Sequence, residues 1–569
     1  MDSEDITNVM KGYDTVSFDI FDTLLMRPYV RPTDVFVHME MNENAQGFSA
    51  ERIDAEKRAR RKIHPEITLD EIYEEIGPVF RDLKVVELEY EIQTLTCNPE
   101  MQKVYEYALN SRKRIVLISD MYLPSAFLKE VLECKGFKGY HELYVSGEHR
   151  KNKHSGELYH HVLSELNIGP NEILHIGDNR HSDHDVPERM GIRSIHYEKV
   201  IARYFKTNRR SKRFYSRKKD LERSVLVAMD SFKWIRDLAE GKNDPYWYRF
   251  AYRFGGPISS MFVNFIGSNM NDGTLLFIAR DGYNLRKVFK IMFPDRESKY
   301  VYALRLYNIA FGNGGQDDRK YKRYIVDYFS NVPEVSAVLN GRELKVKDYD
   351  AILHENAELF ERLRKEESET YEKYLINAVG DTEDIYIADV TTMKFSSQRL
   401  IQSTLGRDVF GFYYTMLSKN TEFKCKGYNR PRFHNWTNVN LSEFLMSSPE
   451  YPVIGLSSDG TPVYQTDNPD CEVYRISISD DVTRGNEDYA RDIISVFGKR
   501  IPEVSHYTLC KWMESIVRFP TKQDREQIMK IQWASGPDHK RYMSAVLTPE
   551  NILTYSMNKA GELLHRIRK

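Results

Sequence analysis

Along the first 200 residues, short apolar runs that end in polar turns alternate with stretches whose apolar positions recur three and four residues apart. The runs read as buried strands and the three/four spacing as amphipathic helix, so the alternation predicts an α/β fold with a parallel sheet. The strands expected are Thr15 to Phe18, Arg114 to Ile118, Glu142 to Val145, Ile173 to Ile176 and, less strongly marked, Arg193 to His196. Residues 32–111 carry helical spacing in LDEIYEEIGPVF and LEYEIQTL, which predicts a helical subdomain inserted between the first two strands. Further along the pattern restarts. DGTLLFIARDGYNLRKVFKIM (Asp272 to Met292) is a strand, a charged turn and a helix, DIYIADVTTMKFSSQRLI (Asp384 to Ile401) repeats the theme, and DVFGFYYTML (Asp408 to Leu417) adds a strand. The expected organisation is a Rossmann-like α/β domain over 1–200, a linker over 201–222, a second α/β domain over 223–420, and a mixed region over 421–569 packed on the second domain.

Composition narrows the class. A chain of 569 residues is too long for one core, and 41% hydrophobic with 29% charged residues is globular material. No apolar run reaches the roughly 18 residues of a membrane span, and the N-terminus, Met1 to Asp5, is acidic where a secretory signal is basic and then apolar. A cytoplasmic location is therefore expected. Five cysteines, odd in number and without CxxC spacing, support neither a disulfide framework nor a zinc site and read as reduced thiols. A net charge of -2 offers no global field for nucleic acid or membranes. The local exception is RYFKTNRRSKRFYSRKK, residues 203–219, with nine Lys/Arg and no acid. A solvated linker or helix face is favoured there over a strip that holds nucleic acid or anionic lipid, although its interleaved aromatics suit a polyanion.

Polar groups gather where the first domain's strands end. VSFDIFDTLL places Asp19 and Asp22 after the first strand, IVLISDMYLP ends in Ser119 and Asp120, KHSGELY carries Lys153 at the head of a helix, and ILHIGDNRHSDHD ends in Asp178 with Asp183 five residues on. Ligands of open α/β sheets bind outside the carboxyl ends of the strands. A carboxylate, a hydroxyl, an ammonium and a carboxylate cluster suit phosphoryl transfer through a covalent aspartyl intermediate, in which a metal and a lysine neutralise the charge of nucleophile and phosphate. Magnesium suits the set, because it needs only one or two carboxylates beside the substrate phosphate and water. Taken singly, each group has a plain structural use: Asp22 and Thr23 suit a helix N-cap, Ser119 and Asp120 a turn, Lys153 a solvated surface.

In order and spacing these four segments resemble motifs I to IV of the haloacid dehalogenase (HAD) superfamily, most of whose members are phosphatases. The helical insertion resembles that superfamily's cap. The resemblance implies Asp19 as nucleophile, Ser119 with Thr23 and Asp120 on the substrate phosphate, Lys153 as charge clamp, and Asp19, Asp178 and Asp183 as magnesium ligands. It also exposes a departure. Phosphatases of the superfamily have an aspartate two residues after the nucleophile as acid and base, and here that residue is Phe21, with Asp22 one place later and expected to point away from the phosphorus. A positioned general acid or base is worth roughly 10²- to 10⁴-fold in rate. Three readings follow. Dehalogenase chemistry needs no leaving-group proton but does not explain three carboxylates around one pocket. A metal-dependent phosphohydrolase or phosphotransferase acting on a small phosphorylated metabolite with a good leaving group, or with Asp22 supplying the proton, is favoured. The alternative is a phospho-ligand binding or scaffold protein with little turnover, its activity, such as that of a transferase, residing in the second domain.

In that second domain Arg280-Asp281-Gly282 stands at a strand-to-helix turn, where an anion-binding corner competes with a plain tight turn that uses glycine's backbone freedom. Asp389 follows IYIA at the equivalent place in its own strand, so convergence with Arg280 and Asp281 would give the domain its own substrate cleft. No dinucleotide or P-loop fingerprint is present. The order of the two regions resembles a group of predicted bacterial HAD hydrolases in which a second α/β region carries an ARDGY-type turn.

Overall fold

The computed structural model of the protein describes residues 3–304, 306–307, 319–418, 422–429, 436–534 and 542–544. The chain divides into two compact units, Met1–Asp244 with Asp492–Glu503, and Pro245–Arg491 with Val504–Lys569.

The first unit is built on a five-stranded sheet of β1 (Thr15–Phe18), β2 (Arg114–Ser119), β3 (Glu142–Val145), β4 (Ile173–Gly177) and β5 (Arg193–His196), in spatial order β3-β2-β1-β4-β5. All pairings are parallel. Every residue of β1 and β4 is buried, the polar Thr15, Ser17 and His175 included, so neither strand has a solvent-facing side. The chain order reverses between β1 and β4, so a crevice opens outside their carboxyl ends. In the register Phe18 lies level with Leu117 and Ile176, which sets Asp19 beside the last residues of β2 and β4.

Between β1 and β2 the chain forms helices Asp34–Asn42, Phe48–Lys62, Leu69–Glu75 and Leu83–Thr94. Two features fix their arrangement. Thr68 and Glu71 form a reciprocal capping box that starts the third helix, and buried Arg52 is forked onto Glu87 at 2.7 and 2.8 Å. The last part of the expected insertion behaves differently, since Pro99–Asn110 packs against helix Ser3–Met10 and helix Leu221–Glu240 of the core layer.

The stretch expected as a linker is helical, Val200–Thr207 and Arg209–Arg217, and belongs to the first unit; the chain divides at Asp244. The reason is amphipathic spacing hidden under the charge: Tyr204, Phe214 and Tyr215 are buried, and Arg203 is held by Glu100. Three of the stretch's four aromatics therefore face inward. The C-terminal region also divides otherwise than expected, because Asp492–Glu503 belongs to the first unit. All five cysteines are free thiols, and no helix among the described residues is long and apolar enough to cross a membrane.

The second unit has its own parallel five-stranded sheet of β6 (Thr274–Ile278), β7 (Ser298–Val301), β8 (Ile385–Thr392), β9 (Phe410–Met416) and β10 (Cys425–Gly427), ordered β10-β9-β8-β6-β7. This is a doubly wound order whose switch point lies between β6 and β8. Gly282 has an ordinary negative φ of -80°, so backbone freedom is not its use. A Cβ there would sit 2.7 Å from the Ile278 carbonyl oxygen and 2.8 Å from its nitrogen, and the turn after β6 closes this tightly only without a side chain.

Candidate active site

A cavity of about 340 Å³ opens at the switch point of the first sheet, lined among others by Asp19, Ser119, Lys153, Asp178 and Asp183. The strands bring each group there. Asp19 continues β1 by donating its N–H to the Ile176 carbonyl at 2.9 Å, which sets its side chain at the sheet's edge. Ser119 is the buried last residue of β2. Lys153 precedes helix Glu157–Leu166, and its backbone N–H is held by Asp120 Oδ1 at 2.8 Å. Asp183 sits in a π-helical turn, Arg180–Asp185, that follows β4. Asn179 shapes that turn, accepting from the N–H groups of His181 and Ser182 while its own N–H donates to Asp183 Oδ2 at 2.9 Å. Gly177 makes the approach possible, because a Cβ there would lie 2.5 Å from the Asp183 carboxyl carbon.

Lys153 is the electrostatic centre. Its Nζ lies 2.6 Å from Asp19 Oδ1 and 2.6 Å from Asp183 Oδ1, and all three side chains are buried. Burial alone disfavours an ammonium, but the paired carboxylates Asp183 and Asp19 hold its pKa well above the ordinary value. Asp183 is itself buried, which acts to raise its pKa, yet the Lys153 charge and the His175 ring, 3.3 Å away, hold it well below the usual carboxylate range. Asp19 goes the other way: burial, with Asp183 and Asp178 adding repulsion, outweighs Lys153 and lifts its carboxyl well above the usual range. Asp178 is raised chiefly by burial, with Lys199 opposing and Asp22 and Asp183 adding to it.

Two carboxyls pushed up beside a third held ionised make a site whose repulsion a cation would relieve. Asp19, Asp178 and Asp183 each offer an oxygen, all within 4.8 Å of one another. Asp178 Oδ2 is buried and meets no donor in hydrogen-bonding geometry, although Lys199 Nζ stands 3.0 Å from it. An all-oxygen set of this size fits magnesium.

The remaining sequence candidates fall in different places. Thr23 is fully buried, donates to Asp19 Oδ2 at 3.2 Å, and does not line the cavity. It meets Asp19 and lies off the cavity wall where substrate contact was expected. Asp120 lines the cavity while fixing Lys153. Neither Asp22 nor Thr23 caps a helix, because the chain turns instead into a two-residue strand, Leu25–Met26, paired with Thr96–Cys97. Asp22 stands at the turn in left-handed backbone, φ 59°, with its N–H on the Leu25 carbonyl at 2.7 Å. Asp22 lines the cavity, where it was expected to point away, with its carboxylate drawn 2.7 Å from Lys199 Nζ. Phe21 also lines the cavity, beneath the Arg27 guanidinium at 4.2 Å from the ring centre.

Sequence reasoning missed Lys199 and Arg27, both of which line the cavity. Lys199 follows β5 by three residues, so the strand-end rule extended to the fifth strand finds it. Arg27, held by Glu91 at 3.1 Å across the helical insertion, has no local signal.

The four strand-end segments thus meet around one switch-point crevice. No family model matches the chain, and no curated protein matches it in sequence. Solved structures similar to it include an L-2-haloacid dehalogenase, 14% identical over 33% of this chain and 86% of that chain with a TM-score of 0.27. A predicted phosphoglycolate phosphatase from Haemophilus somnus is 10% identical over 32% and 84%, TM-score 0.25. A HAD phosphatase from Thermococcus onnurineus is 15% identical over 32% and 86%, TM-score 0.25.

In the second unit Arg280, Asp281 and Asp389 line one cavity of about 360 Å³ at the β6/β8 switch point.

Proposed function

We propose that the first unit is a magnesium-dependent phosphohydrolase or phosphotransferase that forms a phosphoryl intermediate on Asp19. The observation that carries this reading is the buried Lys153 bridge between Asp19 and Asp183, with Asp178 and Ser119 around the same cavity. Magnesium held by Asp19, Asp178 and Asp183 would screen their repulsion, keep Asp19 ionised and neutralise the incoming phosphate. An Asp19 oxygen then attacks phosphorus, and the bond from phosphorus to the leaving oxygen breaks with its electron pair going to that oxygen. Lys153 and Ser119 stabilise the charge on the equatorial oxygens. Water, or an acceptor hydroxyl, attacks phosphorus of the acyl phosphate, its proton passes to a phosphoryl oxygen or to bulk water, and the bond from phosphorus to Asp19 breaks with its electron pair returning to the carboxylate.

The leaving oxygen sets the substrate class. Phe21 has no proton to give, and the Asp22 carboxylate is engaged by Lys199 Nζ at 2.7 Å, so acyl phosphates and other good leaving groups suit the site best. The helices between β1 and β2 serve as its cap, with Phe36, Glu56 and Glu91 lining the cavity beside the strand ends. A small phosphorylated metabolite fits a space of this size.

The test is phosphate release from acetyl phosphate, aryl phosphates and sugar phosphates, with and without magnesium, beside Asp19→Asn. Release that requires magnesium and Asp19 and falls steeply as the leaving group worsens is expected. No turnover of acetyl phosphate under any condition overturns the reading and leaves the site as a binder of phosphorylated ligands.

A further inference from the structure

The second unit's cavity lies outside the carboxyl ends of β6 and β8, at the one place in its sheet where the chain order reverses, which is where doubly wound sheets take their ligands. Its chemistry comes from separate elements. The turn after β6 gives Arg280 and Asp281; β8 gives Asp389 and Thr391 two residues apart, on the same side of the strand. The segment after β8 gives Lys394, Ser396 and Ser397.

Several of these groups are already committed. Arg280 and Arg475 share the buried Glu472 carboxylate, Arg280 Nη1 at 3.1 Å and Arg475 Nε at 2.9 Å, and Arg475 is further held on the Ser448 and Glu450 carbonyls. They form a fixed wall. Thr391 is different: its hydroxyl oxygen is buried, borders the cavity and meets no hydrogen-bond partner. A buried hydroxyl left unmade costs free energy in the ligand-free protein, and a ligand oxygen in the cavity removes that cost. Lys394 is exposed on the cavity's rim and makes no ion pair among the described residues.

Just beyond, Phe395 takes left-handed backbone, φ 52°, with its N–H on Thr392 Oγ1 at 2.9 Å, and helix Ser396–Leu405 starts from it. The first N–H groups of that helix have no carbonyl within the helix to donate to, and Ser396 and Ser397 line the cavity there, the Ser397 hydroxyl donating to Asp389 Oδ2 at 3.4 Å in the ligand-free protein, a contact that a bound phosphate would replace. Around Thr391 the wall is thus rich in donors for an anion. Asp281 and Asp389 supply acceptors, which suit hydroxyl groups and repel a second anion.

We propose that this cavity binds a sugar phosphate, with the phosphate on Thr391, Lys394, Ser396 and Ser397 and the sugar hydroxyls on Asp281 and Asp389. The apolar remainder of the lining, including Ile278, Tyr302 and Phe444, packs against the ring carbons. The site is distinct from the Asp19 centre and does not depend on its activity.

Calorimetric titration of the full chain carrying Asp19→Asn, which removes turnover in the first unit, tests this with D-ribose 5-phosphate and D-glucose 6-phosphate as probes. At least one should bind, and inorganic phosphate and the free sugars should bind at least about tenfold more weakly, since each makes only half the contacts. Thr391→Val, nearly isosteric, and Lys394→Ala should each weaken binding about ten- to a hundred-fold, the range for a hydrogen bond to a charged group. Thr391→Val should leave the ligand-free melting temperature unchanged or raised, which separates lost contact from lost fold. Asp389→Asn should narrow the preference for the sugar phosphate over inorganic phosphate. The proposal falls if neither probe binds, or if Thr391→Val and Lys394→Ala both bind as the parent does, which would place the binding in the first unit.

Discussion

Lys153→Met is the sharpest single perturbation of the first unit. Methionine has nearly the length and volume of the lysine stem, so packing is retained while the charge goes. Two buried carboxylates, each 2.6 Å from the lost ammonium, are left facing one another across its place. Removing one partner of a buried ion pair costs about 3 to 5 kcal/mol, because the other charge stays buried without compensation. For a unit of this size each kcal/mol moves the midpoint by about 2 to 4 °C, so a fall of roughly 6 to 20 °C is expected at pH 7.5 without metal. The assay is thermal unfolding of the full chain by near-ultraviolet circular dichroism, with and without magnesium, at pH 7.5 and at pH 4. Magnesium should restore part of the loss, since a cation held only by the folded state stabilises it by about 2.7 kcal/mol at a hundred times its dissociation constant. Acid should narrow the gap only slightly at pH 4, by roughly 0.4 kcal/mol, with most of the loss at lower pH. Asp183 is held below the usual carboxylate range, first against its burial and then by Lys153. That stabilisation is therefore present above an unfolded pKa of about 4 and is lost as pH falls through the depressed folded value. A Lys153→Met protein that melts within about 2 °C of the parent without magnesium would refute the view that this bridge holds the site together.

Three further perturbations follow from named contacts. Gly177→Ala drives a methyl group against Asp183, 2.5 Å from its carboxyl carbon; about 1 to 3 kcal/mol of destabilisation and a weaker thermal response to magnesium are expected in denaturation curves, and an unchanged magnesium response would show that Asp183 is no ligand. Phe21→Asp places a carboxyl where a proton is lacking, so phosphate release from alkyl phosphates should rise up to about a hundredfold relative to acetyl phosphate; an unchanged ratio would mean that the proton is handled elsewhere. His38 is buried, hydrogen-bonded to the Tyr29 hydroxyl at 2.8 Å, and burial lowers its pKa from 6.5 to about 4. Its neutral form is favoured in the folded state, so stability is full above pH 6.5 and falls as pH drops towards 4, by up to about 3 kcal/mol. Urea titrations of His38→Gln should lack that slope; a slope equal to the parent's assigns it to other groups.

Much of the first unit was legible because parallel strands buried on both faces write themselves as apolar runs, and the five expected strands match the observed ones to within a residue at each end. The polar residues at their ends were legible for the complementary reason, since an ionisable group directly after a buried strand needs a partner or a ligand. In the basic stretch over 203–219, expected as a solvated linker or helix face, nine charges mask an amphipathic spacing that turns Tyr204, Phe214 and Tyr215 inward. The turn after Asp19 was misread for another reason: Asp22 has the composition of a cap, but its left-handed backbone serves a tight return to Leu25.

The sequence by itself determined the strands, their polar ends and the absence of a proton donor at Phe21, because these depend on residue type and on neighbours within a few positions. Only the tertiary structure decided which groups meet. Lys153 is 134 residues from Asp19 in the chain, Lys199 is 177 from Asp22, and Arg27 is 64 from Glu91. Such contacts are set by strand order and register, through which the β1–β4 switch point gathers carboxylates and lysines, and the β6–β8 switch point gathers Asp281, Asp389 and Thr391. No local pattern encodes them, because the free energy that fixes them is the burial of whole sheets and helices, and the polar groups at their ends are carried along.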